Sequence, residues 1–374
     1  MHYFDNAATT KPCREAVEAA LSAMEEDYGN PSSSHYMGIQ AEKRLNKARD
    51  QVASALGAKP KEVYFTSGGT EADNWAVISG SFPGRGKCRH VITTAIEHEA
   101  VLNSVKHLES LGFEVSFLPV DTTGRISLVD LKSALRPDTA LVSIMLVNNE
   151  TGAIQPVSEA ARLVHRVSPN ALFHTDAVQG FLKLAFTPAS LGADLISISG
   201  HKIHAPKGAG ALWIRQGVKI PPLIFGGGHE QGLRSGTEAI PAICAFGAAS
   251  EAGRLGFQEH SSHIAALRAR IVDTLRQRLP QAVFVSGGAD HILSLSIPGL
   301  KSEVLMSFLE SREIYISKGS ACKKGRRSHV LTAMGLPNEV VDGAIRISIS
   351  RMNTIEDADA LTQALIDASS KLAR

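Results

Sequence analysis

The stretch "SISGHKIHAPKG" (197–208) places Ser199, His201 and Lys202 around a glycine turn, directly after a short apolar run. A lysine just beyond a buried strand loses part of its hydration, which favours the neutral amine that forms a Schiff base with an aldehyde. A surface lysine whose ammonium reaches solvent is the alternative that this stretch leaves open. A metal site at His201 and His204 is a weaker interpretation, because no third ligand follows at a recognisable spacing.

A second reactive candidate is Cys322, in the stretch "SKGSACKKGRRSH" (317–329), which has five basic residues and no acidic one. A thiolate is the nucleophilic form of cysteine, and nearby cations favour it. A metal ligand, half of a disulfide, a nucleic-acid patch and a plain exposed loop are the other interpretations. The four cysteines show neither CxxC spacing nor the density of a disulfide scaffold.

Polar side chains also follow other apolar runs of the chain. His98 follows "HVITTA", Asn149 follows "ALVSIMLV", and Asp176 lies within "ALFHTDA" with Gln179 just beyond it. A zinc-binding HExxH motif is excluded at His98, because position 102 is Leu102. A buried aspartate at a strand end needs a cation or a hydrogen-bond donor beside it.

The stretch "SGGTEADN" (67–74) follows the run "VYFT" and places Gly69 and Thr70 at the start of a predicted helix. Backbone N–H groups at such a turn favour an anion such as a phosphate, although a plain helix start has the same composition. The Gly-Lys-Ser/Thr ending of a nucleotide-binding P-loop is missing. A cofactor with a phosphate, a basic ring nitrogen and an aldehyde would account for all these positions together, and pyridoxal 5′-phosphate has all three groups.

The elements that must position these residues alternate between strands and helices. Near-continuous apolar runs indicate a mostly parallel sheet that helices cover on both faces, with ligand sites beyond the carboxyl ends of its strands. The predicted strands of this region are 63–66, 90–95, 140–147, 171–177, 195–199 and 210–214. After about residue 250 the pattern changes to a long helix (263–279), three strands (292–297, 314–317 and 344–350) and a last helix that begins with a capping box of Thr354 and Asp357.

Composition excludes several classes of protein. With 44% hydrophobic and 20% charged residues the chain is typical of a globular protein, and its net charge of +2 gives no general reason to bind DNA or a membrane. The N-terminus lacks the layout of a signal peptide and no apolar run is long enough to cross a bilayer, so a cytoplasmic location is the expectation. The basic stretch around Cys322 lacks interleaved aromatic residues, which disfavours a nucleic-acid-binding module as the primary function.

The chain resembles the cysteine desulfurases, which are class V members of the fold-type I pyridoxal-phosphate enzymes, over nearly its whole length. Nine motifs in the family's order carry this resemblance: "YFDNAATT" (3–10), "GNPSSSH" (29–35), "TSGGTEADN" (66–74), "EHEAV" (97–101), "VNNETG" (147–152), "HTDAVQ" (174–179), "SGHKIHAPKG" (199–208), "GGGHEQGLRSGT" (226–237) and "GSAC" (319–322).

The resemblance implies an α/β fold: a large domain (12–250) with a mostly parallel seven-stranded sheet between helices, and a smaller α+β domain (1–11 and 251–374) that carries Cys322. It implies that Lys202 forms the Schiff base and shuttles a proton, and that Cys322 and His98 are also catalytic. The implied cofactor residues are Gly69, Thr70, His98, Asn149, Asp176, Gln179, Ser199, His201, Lys202 and Thr237, the last from the second subunit of a homodimer. Asn149 and Arg346 would bind the substrate carboxylate, since the arginine fork suits a carboxylate far better than lysine does.

The reaction implied by the resemblance removes sulfur from L-cysteine, giving alanine and a Cys322 persulfide. An iron–sulfur scaffold protein or a tRNA thiolase would receive that sulfur, and the sequence leaves the choice open. Selenocysteine lyase and other class V aminotransferase-like activities share the same cofactor apparatus and remain the alternatives, although the cysteine in "GSAC" argues against simple transamination. The resemblance implies no metal site, no membrane and no direct DNA binding.

Overall fold

The computed structural model describes residues 1–82, 88–285, 287–318 and 327–372. Cys322 and its neighbours from 319 to 326 therefore lie outside the described residues. The strands are β1 (His2–Tyr3), β2 (Val63–Thr66), β3 (His90–Thr94), β4 (Glu114–Leu118), β5 (Thr139–Ser143), β6 (Leu172–Asp176), β7 (Leu195–Ser199), β8 (Gly210–Ile214), β9 (Val283–Phe284), β10 (Ile292–Ser296), β11 (Ile314–Tyr315) and β12 (Ala344–Ser348).

The α-helices connect and cover these strands. They are α1 (Arg14–Glu25), α2 (Tyr36–Leu56), α3 (Gly69–Asn74), α4 (Glu99–Ser110), α5 (Leu128–Ala134), α6 (Val157–Val167), α7 (Pro188–Leu191), α8 (Ile240–Leu255), α9 (Phe257–Arg278), α10 (Ser302–Glu310), α11 (His329–Ala333), α12 (Asn338–Gly343) and α13 (Ile355–Leu372). Over the ranges that the structure describes, no helix is both long and apolar enough to span a membrane.

Seven of the described strands form the central sheet, in the spatial order β2-β8-β7-β6-β5-β3-β4. Strands β3 to β7 pair in parallel, whereas β8 pairs antiparallel to both β2 and β7. This arrangement confirms the predicted fold class. The near-continuous apolar runs are the strands buried on both faces, because each must pack against helices above and below the sheet.

The two faces of this sheet have separate apolar clusters. Leu141, Leu195 and Leu212 face α3 and α4, and Val142 and Ile196 face the opposite layer. The opposite layer contains α2, α6 and α8. Because successive side chains of a strand alternate between faces, a residue two positions after Leu141 or Leu195 returns to the α3 side.

The sequence prediction missed β4, which is an edge strand. Its segment "EVSFL" begins with an exposed glutamate and includes the exposed Phe117, so it lacks the continuous apolar character of the central strands. The strand predicted at 140–147 ends at Ser143 in the structure. The chain stays paired beyond it, since the N–H groups of Ile144 and Leu146 still donate to carbonyls of β6.

The later region has a second sheet of order β12-β10-β9, and β11 pairs in parallel with β1 at the start of the chain. Phe4 packs with apolar residues of α9, α10, α13 and these strands in a cluster separate from those of the central sheet. The capping box at the start of α13 is confirmed. Thr354 and Asp357 exchange hydrogen bonds of 2.9 Å and 3.2 Å between backbone N–H groups and side-chain oxygens.

Candidate active site

The carboxyl ends of the parallel strands bring the predicted site residues to one edge of the central sheet. Asp176 is the last residue of β6, Ser199 is the last residue of β7, and His98 caps the N-terminus of α4 just beyond β3. The prediction that these strand ends meet rested on the parallel pairing, which the register of β5, β6 and β7 shows.

Lys202 lies at this edge, and its side chain contacts the N-terminal segment of the chain. Its Nζ donates hydrogen bonds to the carbonyls of Ala7 (2.6 Å) and Ala8 (2.7 Å). Gln179 Nε2 donates to the same Ala7 carbonyl at 2.9 Å. The segment "YFDNAATT" is therefore a wall of the site, a placement that sequence reasoning did not predict although the motif itself was noticed.

Burial controls the protonation of Asp176 and His98. Burial raises the pKa of Asp176, while His98, the Val178 N–H (2.8 Å) and Lys202 favour its ionised form. Burial lowers the pKa of His98, with Lys202 acting in the same direction and Asp176 opposing it. The Ala100 N–H donates to His98 Nδ1 at 3.2 Å, so the proton of the neutral imidazole lies on Nε2.

The predicted phosphate site contains a buried hydroxyl that no described group satisfies. Ser199 Oγ is buried and has no hydrogen-bond partner within the described residues. Gly69 lies beside it, and a Cβ added to Gly69 would come within 2.8 Å of Val178 Cγ2 and 3.5 Å of Ser199 Cβ. A buried polar group without a partner is costly, so this small-residue cradle fits an acceptor such as a phosphate oxygen.

His201 and Thr70 flank this cradle. Burial, followed by the charges of Lys202 and Lys207, lowers the pKa of His201 to about 4, so its imidazole is neutral near neutral pH. His201 Nδ1 lies 3.3 Å from Thr9 Oγ1, again joining the strand edge to the N-terminal segment. Thr70 is exposed in the first turn of α3.

Arg346, on β12, reaches the site from the second sheet. Its guanidinium donates to the Asn149 carbonyl and to Asp5 Oδ1, both at 2.8 Å, and its side chain is only 3% exposed. The structure therefore brings Arg346 into contact with the Asn149 carbonyl, and their shared role at a substrate carboxylate stays a prediction. Asp5 was missed as a partner of Arg346, although it stands within the noticed motif "YFDNAATT".

The described residues on either side of 319–326 both contact the site. Ser317 and Arg346 exchange backbone hydrogen bonds of 3.1 Å and 2.6 Å. Ser328 caps α11 and donates its hydroxyl to the buried Glu150, whose pKa burial raises. Next to it, His329 Nε2 lies 3.1 Å from the Glu97 carbonyl. Sequence reasoning noticed the motifs that contain Glu97 and Glu150 but assigned neither side chain a role.

Thr237 is exposed in the loop before α8. Two ion pairs hold this loop to the central sheet region. Arg49 of α2 pairs with Glu230 through two contacts of 2.7 Å, and Arg234 pairs with Glu71 of α3 at 2.7 Å and 3.0 Å. The loop that carries Thr237 is thereby held to α2 and α3, and Thr237 itself is exposed.

Known proteins resemble this chain over nearly its full length. A family model described as "Aminotransferase class-V" matches residues 2–361. "Cysteine desulfurase IscS" of Methanosarcina thermophila is 42% identical over 99% of this chain and 92% of its own length. A solved "NIFS-LIKE PROTEIN" is 40% identical with a TM-score of 0.93, covering 99% of this chain and 100% of that one. A structure described as "SspA in complex with cysteine" is 33% identical with a TM-score of 0.81, covering 95% and 100%.

Proposed function

The chain belongs to the class-V aminotransferase family and, within it, to the cysteine desulfurases, and we propose that it takes sulfur from L-cysteine with pyridoxal 5′-phosphate as cofactor. The observation that carries this proposal is that Lys202, Asp176 and the Ser199 hydroxyl, which has no hydrogen-bond partner among the described residues, lie together at the carboxyl ends of the parallel strands. An amine, a carboxylate and an anion cradle at one edge match the aldehyde, the ring nitrogen and the phosphate of that cofactor.

The residues present fit this cofactor. Gly69, Thr70, Ser199 and His201 would hold its phosphate, because the cradle leaves no room for a larger residue at Gly69 and no group in the described part of the chain accepts from Ser199. Asp176 would pair with the ring nitrogen, His98 would lie against the ring, and Gln179 would donate to the ring hydroxyl. When bound, the cofactor supplies an electron sink for the bond changes at the substrate Cα.

Arg346 and Asn149 would bind the substrate carboxylate. The Arg346 guanidinium is buried and its orientation is set by Asp5 and by the Asn149 carbonyl. A planar fork held by two other groups is preorganised, so little conformational entropy is lost when a carboxylate binds. Lys202, held by two carbonyls in the wall of the site, would carry the proton removed from the substrate Cα.

Cys322 would accept the sulfur. Its thiolate would attack the sulfur of L-cysteine, so that a new S–S bond forms as the substrate C–S bond breaks and leaves its electron pair with the substrate. Cβ would then take up a proton and Cα would regain the proton it lost, and the product would leave as alanine. Cys322 then carries a persulfide. The contacts of Ser317 with Arg346 and of Ser328 with Glu150 support this role, because both described flanks of the cysteine meet the substrate end of the site.

We further propose a cytoplasmic homodimer in which Thr237 reaches the phosphate site of the second copy, with an iron–sulfur scaffold protein or a tRNA thiolase as sulfur acceptor. Two observations support this contact between copies. Thr237 is exposed, and two ion pairs hold its loop in place. The separate apolar clusters of the central sheet and the later region support division into a large domain (12–250) and a smaller one (1–11 and 251–374).

The test is mass spectrometry of the purified holoenzyme after incubation with L-cysteine, together with alanine release. We expect one extra sulfur on Cys322, and loss of both the adduct and alanine release in Cys322→Ala. Cys88→Ala is the matched control, since Cys88 is a cysteine that is not fully buried and its removal should leave both signals unchanged. Lys202→Ala should lose the yellow absorbance of the bound cofactor. Full alanine release by Cys322→Ala would refute the persulfide route.

A further inference from the structure

A row of polar side chains crosses three strands of the central sheet, and its middle member, His174, stands two residues before Asp176 on β6. On the α3 side of the sheet, Ser143, His174 and Ser197 each stand two residues after a leucine of the apolar cluster, on β5, β6 and β7. All three are buried, with exposed fractions of 0%. His174 joins the row, with Nδ1 2.8 Å from Ser143 Oγ and Nε2 3.0 Å from Ser197 Oγ. Burying polar side chains costs free energy that apolar side chains at the same positions would not cost. Three buried polar residues on neighbouring strands therefore indicate a role beyond packing.

Asp73 of α3 meets this row. Its side chain is buried, its Oδ1 lies 3.7 Å from His174 Nε2, and that oxygen has no hydrogen-bond partner among the described residues. The titratable groups that face it are Asp176 of β6 and Glu97 before α4, both acidic, and the Ser197 hydroxyl is the group that favours its ionised form. Asp73 is therefore a buried carboxyl group with acidic neighbours and no cation facing it within the described residues.

His174 does not supply the missing cation. Complete burial lowers the pKa of His174 to about 3, so its imidazole is neutral at physiological pH. Two buried carboxylates that face each other cannot both ionise at low cost, and one of them takes up a proton. Asp176 is faced by His98 and Lys202, whereas Asp73 is not, so the negative charge is cheaper on Asp176.

We propose that Asp73 is a neutral carboxylic acid at physiological pH, which leaves the single negative charge of the pair on Asp176. The protonation of Asp73 follows from the burial and contacts alone. Its consequence for catalysis rests on the proposed function, because an ionised Asp176 matters only if it pairs with the cofactor's ring nitrogen.

Asp73 constrains the hydrogen bonds of the row. An ionised Asp73 can only accept, so the Ser197 hydroxyl donates to it and the proton of His174 lies on Nε2. A proton of His174 on Nδ1 instead requires the Ser197 hydroxyl to donate to Nε2, and Asp73 must then itself donate to Ser197 as a protonated acid. A proton on Nδ1 therefore shows a neutral Asp73 without reference to enzyme activity.

The first experiment is nitrogen-15 NMR of holoenzyme labelled at histidine, with His174 assigned from the spectrum of a His174→Gln variant. We expect a neutral His174 with its proton on Nδ1. A proton on Nε2, combined with a pH dependence of stability that Asp73→Asn leaves unchanged, would overturn the proposal. The spectrum is that of the wild-type protein, so a proton on Nδ1 supports the proposal even if a variant at Asp73 fails to fold.

The second experiment compares urea unfolding of wild type and Asp73→Asn over a range of pH near neutrality. A carboxyl group neutral when folded and ionised when unfolded takes up one proton on folding, so stability falls as pH rises, and the amide removes this dependence. We expect the pH dependence of the unfolding constant to lose about a factor of ten per pH unit in Asp73→Asn. An unchanged pH dependence would contradict the proposal.

Activity then separates this proposal from the proposed function. We expect kcat/KM of Asp73→Asn with L-cysteine to stay within about threefold of wild type, since asparagine is the neutral isostere of the protonated acid. Asp176→Asn should lose most activity, because it removes the charge itself. If wild type releases no alanine from cysteine, the proposed function fails, while the tautomer of His174 and the pH dependence still decide the state of Asp73.

Discussion

The buried ion pair between Arg49 and Glu230 offers a quantitative test of how the Thr237 loop is held. The side chains are 11% and 2% exposed, and two contacts of 2.7 Å join them. Glu230 Oε2 also accepts the Phe65 N–H at 2.8 Å, and Arg49 Nη1 donates to the Val63 carbonyl at 2.7 Å. These contacts tie the loop to α2 and to the edge strand β2.

Glu230→Gln keeps the size of the side chain and removes its charge. The Arg49 guanidinium then stays buried without a carboxylate, and removing one partner of a buried pair costs about 3–5 kcal/mol. We therefore expect the free energy of unfolding, measured by urea denaturation of the holoenzyme, to fall by about 3–5 kcal/mol. A value near the low end is expected if Gln Oε1 still accepts the Phe65 N–H.

The matched control is Asp359→Asn. Asp359 pairs with Arg270 in the same two-contact geometry, at 2.6 Å and 2.8 Å, but both side chains are about half exposed. Water and salt screen that pair, so its loss should change stability far less than Glu230→Gln does. Equal losses for the two variants would refute the reasoning, because burial is the difference between them.

Two further predictions concern the active site. Arg346→Lys should lower kcat/KM for L-cysteine by about tenfold to a hundredfold, because an ammonium replaces the guanidinium fork that Asp5 and the Asn149 carbonyl orient. Steady-state kinetics measures this change. An unchanged kcat/KM would exclude a contact of Arg346 with the substrate carboxylate. Burial raises the pKa of Glu97 to about 8, well above that of a solvated carboxyl group, so stability should fall as pH rises toward about 8, by about 1.4 kcal/mol per pH unit. Urea unfolding of Glu97→Gln between about pH 6 and about pH 7.5 should lose that slope, and a slope equal to that of wild type would show that Glu97 is ionised throughout.

The fold was predictable wherever the local composition of a segment indicates whether that segment is buried. Strands β2, β7 and β8 match their predicted ranges residue for residue, because each is a short apolar run bounded by turn residues. Strand β4 was missed, since an edge strand with an exposed face carries charged and polar residues. The pairing of β1 with β11 joins residues more than 300 positions apart, and no local pattern indicates such a contact.

The candidate site was also predictable only in part. Lys202, Asp176, His98 and Ser199 were predicted as strand-end residues, and parallel pairing brings strand ends together without further information. The wall formed by Ala7 and Ala8, and the contact of Asp5 with Arg346, could not be predicted from spacing, because they depend on where the N-terminal segment crosses the sheet edge.

The sequence by itself determined the family, the strand ends that collect reactive groups, and the residue types that suit an aldehyde, a ring nitrogen and a phosphate. Only the tertiary structure decided which groups are charged. Asp73, Asp176 and Glu97 are three carboxyl residues of similar intrinsic acidity, and His98, His174 and His201 are three imidazoles. Their protonation differs because burial penalises charge and because Lys202 faces some of these groups and not others, and both depend on packing between distant segments.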